Sequence, residues 1–322
     1  MADLPPNAPN QEAVAMLQRG DVLRFNAQKR SHPEWLNLAN ADLRERNLQK
    51  AQLDGADLRG ANLGGADLTN ASLAGAKIDG TILRGATLRG AVLSETILAQ
   101  PKFEKIDFRG ARMWRVKWSQ PSFVECDLRD AALIESQVDG LYAERSQLDK
   151  IDLSKSSLVG ARIVDCRMSF VGGLGATLDG AQIAPRPPYT VNFSRASAKK
   201  VVFAKSTWAA PLFLEGVFDG AVFTEAQMDS ADFDGASLEG ANFSGAVFTE
   251  SSFRKIRAVG ANFTGATFDH CVFKNADLRR ARFDNARFRK KILFEGAILD
   301  GASFAGSDSS QATTDLPGGF PR

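Results

Sequence analysis

The feature that most constrains this chain is a five-residue period that keeps one phase over most of its length. Stepping by five from Leu38 to Phe288 visits 51 positions, and 46 of them hold Leu, Ile, Val, Met, Phe or Trp, which chance composition does not produce. The exceptions are Ala143, Gly173, Pro188, Ala198 and Ala258. Two residues before each centre stands a small side chain, most often Ala, as at Ala41, Ala51, Ala56 and Ala61. Two residues after it Gly is frequent, as at Gly55, Gly60 and Gly235.

Neither regular element accommodates this period. On a helix five residues advance the wheel by about 140°, so the apolar set would smear round every face. On a straight strand an odd step reverses the face each time. A constant inward position therefore needs a corner in every repeat. Residues two apart share a strand face, so the small residue and the centre both point inward and the residues between point out. Gly beside the corner suits a turn with unusual backbone angles. The expected structure is a coil of short segments stacked along an axis, a β-solenoid.

The A-(D/N)-L-x-x pattern resembles the pentapeptide-repeat family over residues 38–305. That resemblance implies an all-β fold, a right-handed quadrilateral parallel β-helix with four pentapeptides to each turn. Residues 1–37 read as a helical N-terminal cap. Asn10 can cap a first helix, Glu12 sits in its first turn, Val14 and Leu17 give it an apolar side, and Gly20 ends it. A second short helix is expected over 22–29. The stretch GDVLRFNAQKR resembles the Gly…(W/F)-N-x-x-(R/K) lead-in found before many such arrays.

The array divides by composition. Residues 38–183 form a Leu-rich stack and 193–305 a Phe-rich one. Between them, Pro185, Pro187 and Pro188 cannot donate ladder hydrogen bonds, so 184–192 reads as a loop or break. The phase shifts by one near Phe288, giving centres at Phe294, Leu299 and Phe304. Residues 306–322 are poor in apolar side chains and read as a disordered tail.

Only outward residues are free for function. Residues one turn apart share a column, and one column contains Trp114, Ile134, Leu174 and Leu214, a candidate strip for binding a protein partner. Residues 206–250 carry eight acids and no base, among them Asp219, Asp229, Asp234 and Glu239. Residues 251–291 carry eleven bases, among them Arg279, Arg280, Arg282 and Arg287. Both belts are candidate docking surfaces.

Nothing in the sequence assembles a catalytic set, and the chain reads as a binding protein, not an enzyme. Cys126, Cys166 and Cys271 fall at the small inward position and read as core residues. His32 and His270 read as surface residues, and no cofactor or metal site is expected. No segment approaches the roughly 20 apolar residues of a membrane span. A cytoplasmic protein is expected, with export by a signal-independent route left open. The leading reading is a protein-binding rod or scaffold, with a bacterial secretion accessory or effector among the compatible roles. The alternative, implied by the resemblance, is protection of DNA gyrase by imitation of duplex DNA, or toxin or antibiotic self-resistance. Mimicry needs sustained negative charge, whereas this chain has a net charge of +2. Nucleic-acid binding by the basic belt is not expected, since no outward aromatics accompany it.

Overall fold

The computed structural model describes residues 9–186 and 190–316. The chain forms two compact units, Met1–Ser156 and Ser157–Arg322. Each is a parallel β-solenoid. Bridged residues lie one four-sided turn apart, as in Asn37↔Asp57 and Asp57↔Lys77 in the first unit and Ser197↔Val217 and Val217↔Ser237 in the second.

The corners explain the period. A series of positive φ angles at every fifth residue runs from Asn40 to Gly180 and again from Arg195 to Lys290. At Gly55, φ is 69°, and the Ala56 N–H donates to the Leu53 carbonyl at 3.0 Å. Left-handed geometry at the third residue of a hydrogen-bonded turn is what glycine accepts without steric cost. The preference for Asp or Asn before each centre also has a local cause. Asp67 accepts the N–H of Thr69 at 2.9 Å and Asn62 that of Gly64 at 3.1 Å, so the side chain caps a corner donor that would otherwise face solvent.

A second kind of corner is open and lets strand pairing continue. In the first unit, Ile97–Ala99 pairs with Lys117–Ser119, and Lys102–Glu104, Ser122–Val124 and Tyr142–Glu144 pair in sequence. In the second, Thr207–Ala209, Gln227–Asp229, Val247–Thr249, Thr267–Asp269, Arg287–Ile292 and Asp308–Thr314 make a six-stranded parallel sheet. At several open corners a Ser at the small inward position of the next turn fills the gap. Ser136 accepts the Val116 N–H at 3.2 Å and donates to the Met113 carbonyl at 2.8 Å. Ser146 does the same between Cys126 and Phe123.

The cap forms as expected and shows what its sequence is for. Helix α1 spans Gln11–Gln18, with the Asn10 side chain accepting the Ala13 N–H at 2.9 Å. Helix α2 spans Val22–Gln28. Phe25 is buried, and the Asn26 amide donates to the Lys50 carbonyl at 2.9 Å while accepting the Gln52 N–H at 2.8 Å. One side-chain amide thus stands in for the strand that the first turn lacks, which protects a raw sheet edge.

The structure departs from the sequence expectation in three places. The two compact units meet in sequence at Ser156/Ser157, not at the Pro-rich segment. Within that segment, Gln182–Arg186 pairs with Arg162–Arg167 and Val191–Asn192 with Val171–Gly172, so both flanks are strand; residues 187–189 lie outside the described residues. In the segment read as a disordered tail, Asp308–Thr314 is a strand, because main-chain pairing needs no apolar side chain. Residues 317–322 lie outside the described residues. The one-residue phase shift is as predicted: pairing keeps the four-sided turn through Asp269↔Arg289 and is one residue longer from Val272↔Leu293, so the extra residue lies between Arg289 and Leu293, and Gly296, Gly301 and Gly306 carry the later positive φ.

Candidate docking faces

The proposed apolar strip divides between the two units. In the first, Trp114 is 40% exposed and Ile134 half-buried, and they stand in adjoining turns, with the Arg115 N–H donating to the Ile134 carbonyl at 3.0 Å. In the second, Leu174 is exposed and Leu214 half-buried, with a buried serine, Ser194, in the turn between them. Trp114 and Ile134 therefore adjoin, whereas Leu174 and Leu214 are kept apart by the Ser194 turn.

The charged belts are largely engaged with themselves. Asp219 accepts the Ser237 hydroxyl at 2.6 Å and the Glu239 N–H at 3.0 Å, stitching two turns together. Asp234 does the same with Ser252 and the Arg254 N–H. Glu239 is paired with Arg257 at 2.6 Å. Among the basic candidates, Arg279 is held by Asp277 at 2.7 Å and Arg282 by Asp284 at 3.0 Å. The Asp-x-Arg unit recurs as Asp42–Arg44, Asp57–Arg59, Asp107–Arg109 and Asp127–Arg129. The hydrogen-bonded guanidinium of Arg44 holds the Asp42 carboxyl down at about 2. Exposed pairs of this kind contribute little to stability, but they neutralise the local field. Asp229, Arg280 and Arg287 are exposed and make no ion pair among the described residues.

The three cysteines are buried and unbonded to one another. Cys126 donates to the Phe103 carbonyl at 3.4 Å and Cys271 to the Phe248 carbonyl at 3.6 Å, so these two thiols bridge open corners as serines do. Burial pushes Cys126 up to about 11 and Cys271 up to about 12. Of the two histidines, exposed His32 stacks on Trp35 with ring centroids 5.2 Å apart.

Sequence reasoning missed several exposed apolar residues, among them Ile82, Ile97 and Phe170. Ile82 is 50% exposed, and Ile97 and Phe170 are each 66% exposed. Ile82 and Ile97 occupy an outward position, and Phe170 a left-handed corner with φ of 58°. A bulky apolar side chain at a position otherwise polar or glycine was the available signal. Ile97 also lines a groove of about 660 Å³ with Lys77, Glu95 and Trp118. No helix among the described residues is long and apolar enough to cross a membrane.

Among solved structures, the chain is similar to the pentapeptide-repeat protein Rfr23 from the cyanobacterium Cyanothece 51142, at 21% identity and a TM-score of 0.26. That match covers 29% of this chain and 60% of the other, so the chain spans less than two thirds of it. HetL from Nostoc sp. strain PCC 7120, a pentapeptide-repeat protein involved in heterocyst differentiation regulation, is 21% identical, with 70% of this chain and 88% of HetL covered and a TM-score of 0.27. QnrB1, a plasmid-mediated fluoroquinolone resistance protein, is 15% identical, with coverages of 67% and 90% and a TM-score of 0.21. No curated protein matches the chain. The family models are decisive: the one described as pentapeptide repeats (8 copies) matches residues 37–75 and 76–115, and the one described as a pentapeptide repeat region matches 226–304. With left-handed corners every fifth residue and family matches near both ends of the array, the chain belongs to the pentapeptide-repeat family.

Proposed function

We propose that this protein is a binding scaffold that docks a protein partner through exposed apolar side chains, without chemistry of its own. The observation that carries the reading is Trp114, 40% exposed and stacked one turn from Ile134 on a face whose flanking corners are ionic. Two such side chains leaving water contribute about 1.5–3 kcal/mol each at full burial, part of which offsets the cost of association. A photo-crosslinker at position 114 in the native host should trap a discrete protein adduct. The double variant Trp114→Ser, Ile134→Ser should melt like the parent and fail to retain that partner. A much lower melting temperature would place both residues in the core, and undiminished retention would remove them from the interface. Gyrase protection by DNA mimicry fits less well, because Asp219, Asp234 and Glu239 are already committed to Ser237, Arg254 and Arg257.

A further inference from the structure

The ladder of the first unit has an interruption. Elsewhere each turn exchanges main-chain hydrogen bonds with the next, as when the Leu58 N–H donates to the Lys77 carbonyl at 2.8 Å and the Lys77 N–H to the Ala56 carbonyl at 2.9 Å. One turn on, the equivalent bonds are missing. Ile78, Gly80 and Leu83 do not donate to Ile97, Ala99 and Lys102, and Ile97 and Lys102 do not donate to Ala76 and Thr81. Bridges between 77 and 97 and between 82 and 102 are likewise absent among the described residues. The ladder holds on either side, at Gly75 N–H to Ser94 C=O (2.9 Å) and Gly85 N–H to Glu104 C=O (3.3 Å). The other two sides stay bridged through Thr87↔Asp107 and Val92↔Arg112. The two turns are therefore joined along two sides and unpaired along the other two.

Two grooves follow this parting, one of about 660 Å³ and one of about 310 Å³, and both are lined by Asp79, Leu98 and Ala99. The larger falls within the roughly 300–1,000 Å³ of ligand pockets. The core is touched by solvent here: Leu83 and Leu98 are each 6% exposed, against 0% for Leu58, Leu63 and Leu68. Unpaired main-chain groups in a sheet are costly, and an added strand satisfies them.

The geometry points to a cleft that binds an extended polypeptide segment by strand addition. The lips present alternating N–H and C=O groups at strand spacing, which an extended backbone matches and a compact ligand does not. The charges around it, Lys77, Asp79, Glu95, Lys102 and Lys117, are mixed, so no strongly acidic or basic ligand is selected. Leu98 and Trp118 offer apolar floor to alternate side chains of the segment, and Ile97 offers apolar rim. The cleft is a second docking element, independent of the Trp114–Ile134 spot but resting on the same reading of the protein as a scaffold.

The test uses the full chain and a fluorescent peptide of alternating isoleucine and threonine flanked by lysines. A control peptide of the same length has its central threonines replaced by proline, which removes the N–H donors. In the free protein, the amides of Ile78, Gly80, Leu83, Ile97 and Lys102 should exchange with solvent at least about tenfold faster than those of Leu58 and Leu63. The peptide should bind and slow those five amides, and the proline peptide should not. Ile97→Asp, at an exposed rim position, should keep the melting temperature and weaken peptide binding about tenfold or more. The variant Trp114→Ser, Ile134→Ser should bind the peptide normally, which separates failure of the cleft from failure of the apolar spot. Slow exchange in the free protein, equal binding of both peptides, no binding, or indifference to Ile97→Asp would each overturn the proposal.

Discussion

The aromatic cores of the two units obey different rules. In the second, Phe residues repeat at the same place in successive turns. Phe223, Phe243, Phe263 and Phe283 stack with centroids 4.8 to 5.0 Å apart and interplanar angles of 6° to 9°. Phe233, Phe253 and Phe273 do the same, at 5.2 and 4.8 Å and 5°. That spacing is close to the strand separation of about 4.7–4.9 Å, so ring stack and backbone ladder share one repeat. In the first unit Phe103 and Phe123 also pair in register, 5.0 Å apart, but tilted at 32°, beside Phe108 and Trp118 in a Leu-centred stack. Trp118 pairs in register with Leu98, and Phe103 meets Trp118 tilted at 51°. The unpaired stretch lies beside this change of volume, between the layer of Ile78 and Leu83 and the layer of Leu98 and Phe103.

Core truncation tests this comparison with the largest effect. Phe263→Ala removes a ring stacked against Phe243 and Phe283, and should cost about 3–5 kcal/mol in urea unfolding. Phe103→Ala, from the tilted cluster, should cost less than Phe263→Ala. Equal losses would mean that parallel stacking contributes nothing beyond buried area.

The second test concerns how each kind of corner is closed. Ser136→Ala strips the Val116 N–H and the Met113 carbonyl of their partner and should cost about 1–3 kcal/mol. Ala61→Ser places a hydroxyl against an already closed corner of the turn before, where the Ala41 N–H bonds to Leu38, and should also destabilise the fold. A neutral Ser136→Ala would show that open corners need no bridge.

The smallest effect lies at the surface. Arg44 depresses the Asp42 carboxyl to about 2, so the pair's contribution is present above the ordinary Asp value of about 3.9 and is lost as pH falls towards 2. Carboxyl titration by NMR should find Asp42 among the lowest, and Arg44→Gln should return it towards 3.9 with little change in melting temperature at neutral pH.

The fold was legible because each element of the repeat has a local cause. Leu58 must point inward, Gly55 must take positive φ, and Asp57 must cap the corner, and all three requirements lie within five residues. The docking faces were less legible. Asp219 and Asp234 look like free acids in sequence, yet each is tied to a serine in the following turn, and only the known turn length makes Ser237 and Ser252 their neighbours. The missing bonds between Ile78 and Ile97 could not be read at all, since the five-residue phase runs unbroken through Ile78, Leu83 and Leu98.

The extra residue absorbed between Arg289 and Leu293 has a consequence for inheritance. Gain or loss of one whole turn by duplication or deletion leaves every surviving side chain with the same kind of neighbour above and below. A single inserted codon does not: before it Asn262 faces Arg282, and after it Arg282 faces Ser303, an offset of one that holds to Arg287↔Asp308 before a further slip sets Arg289 opposite Gln311. The last sides of this solenoid thus behave like text beyond a frameshift. They remain readable among themselves, but recombination can exchange them with earlier turns only if the irregularity travels with them.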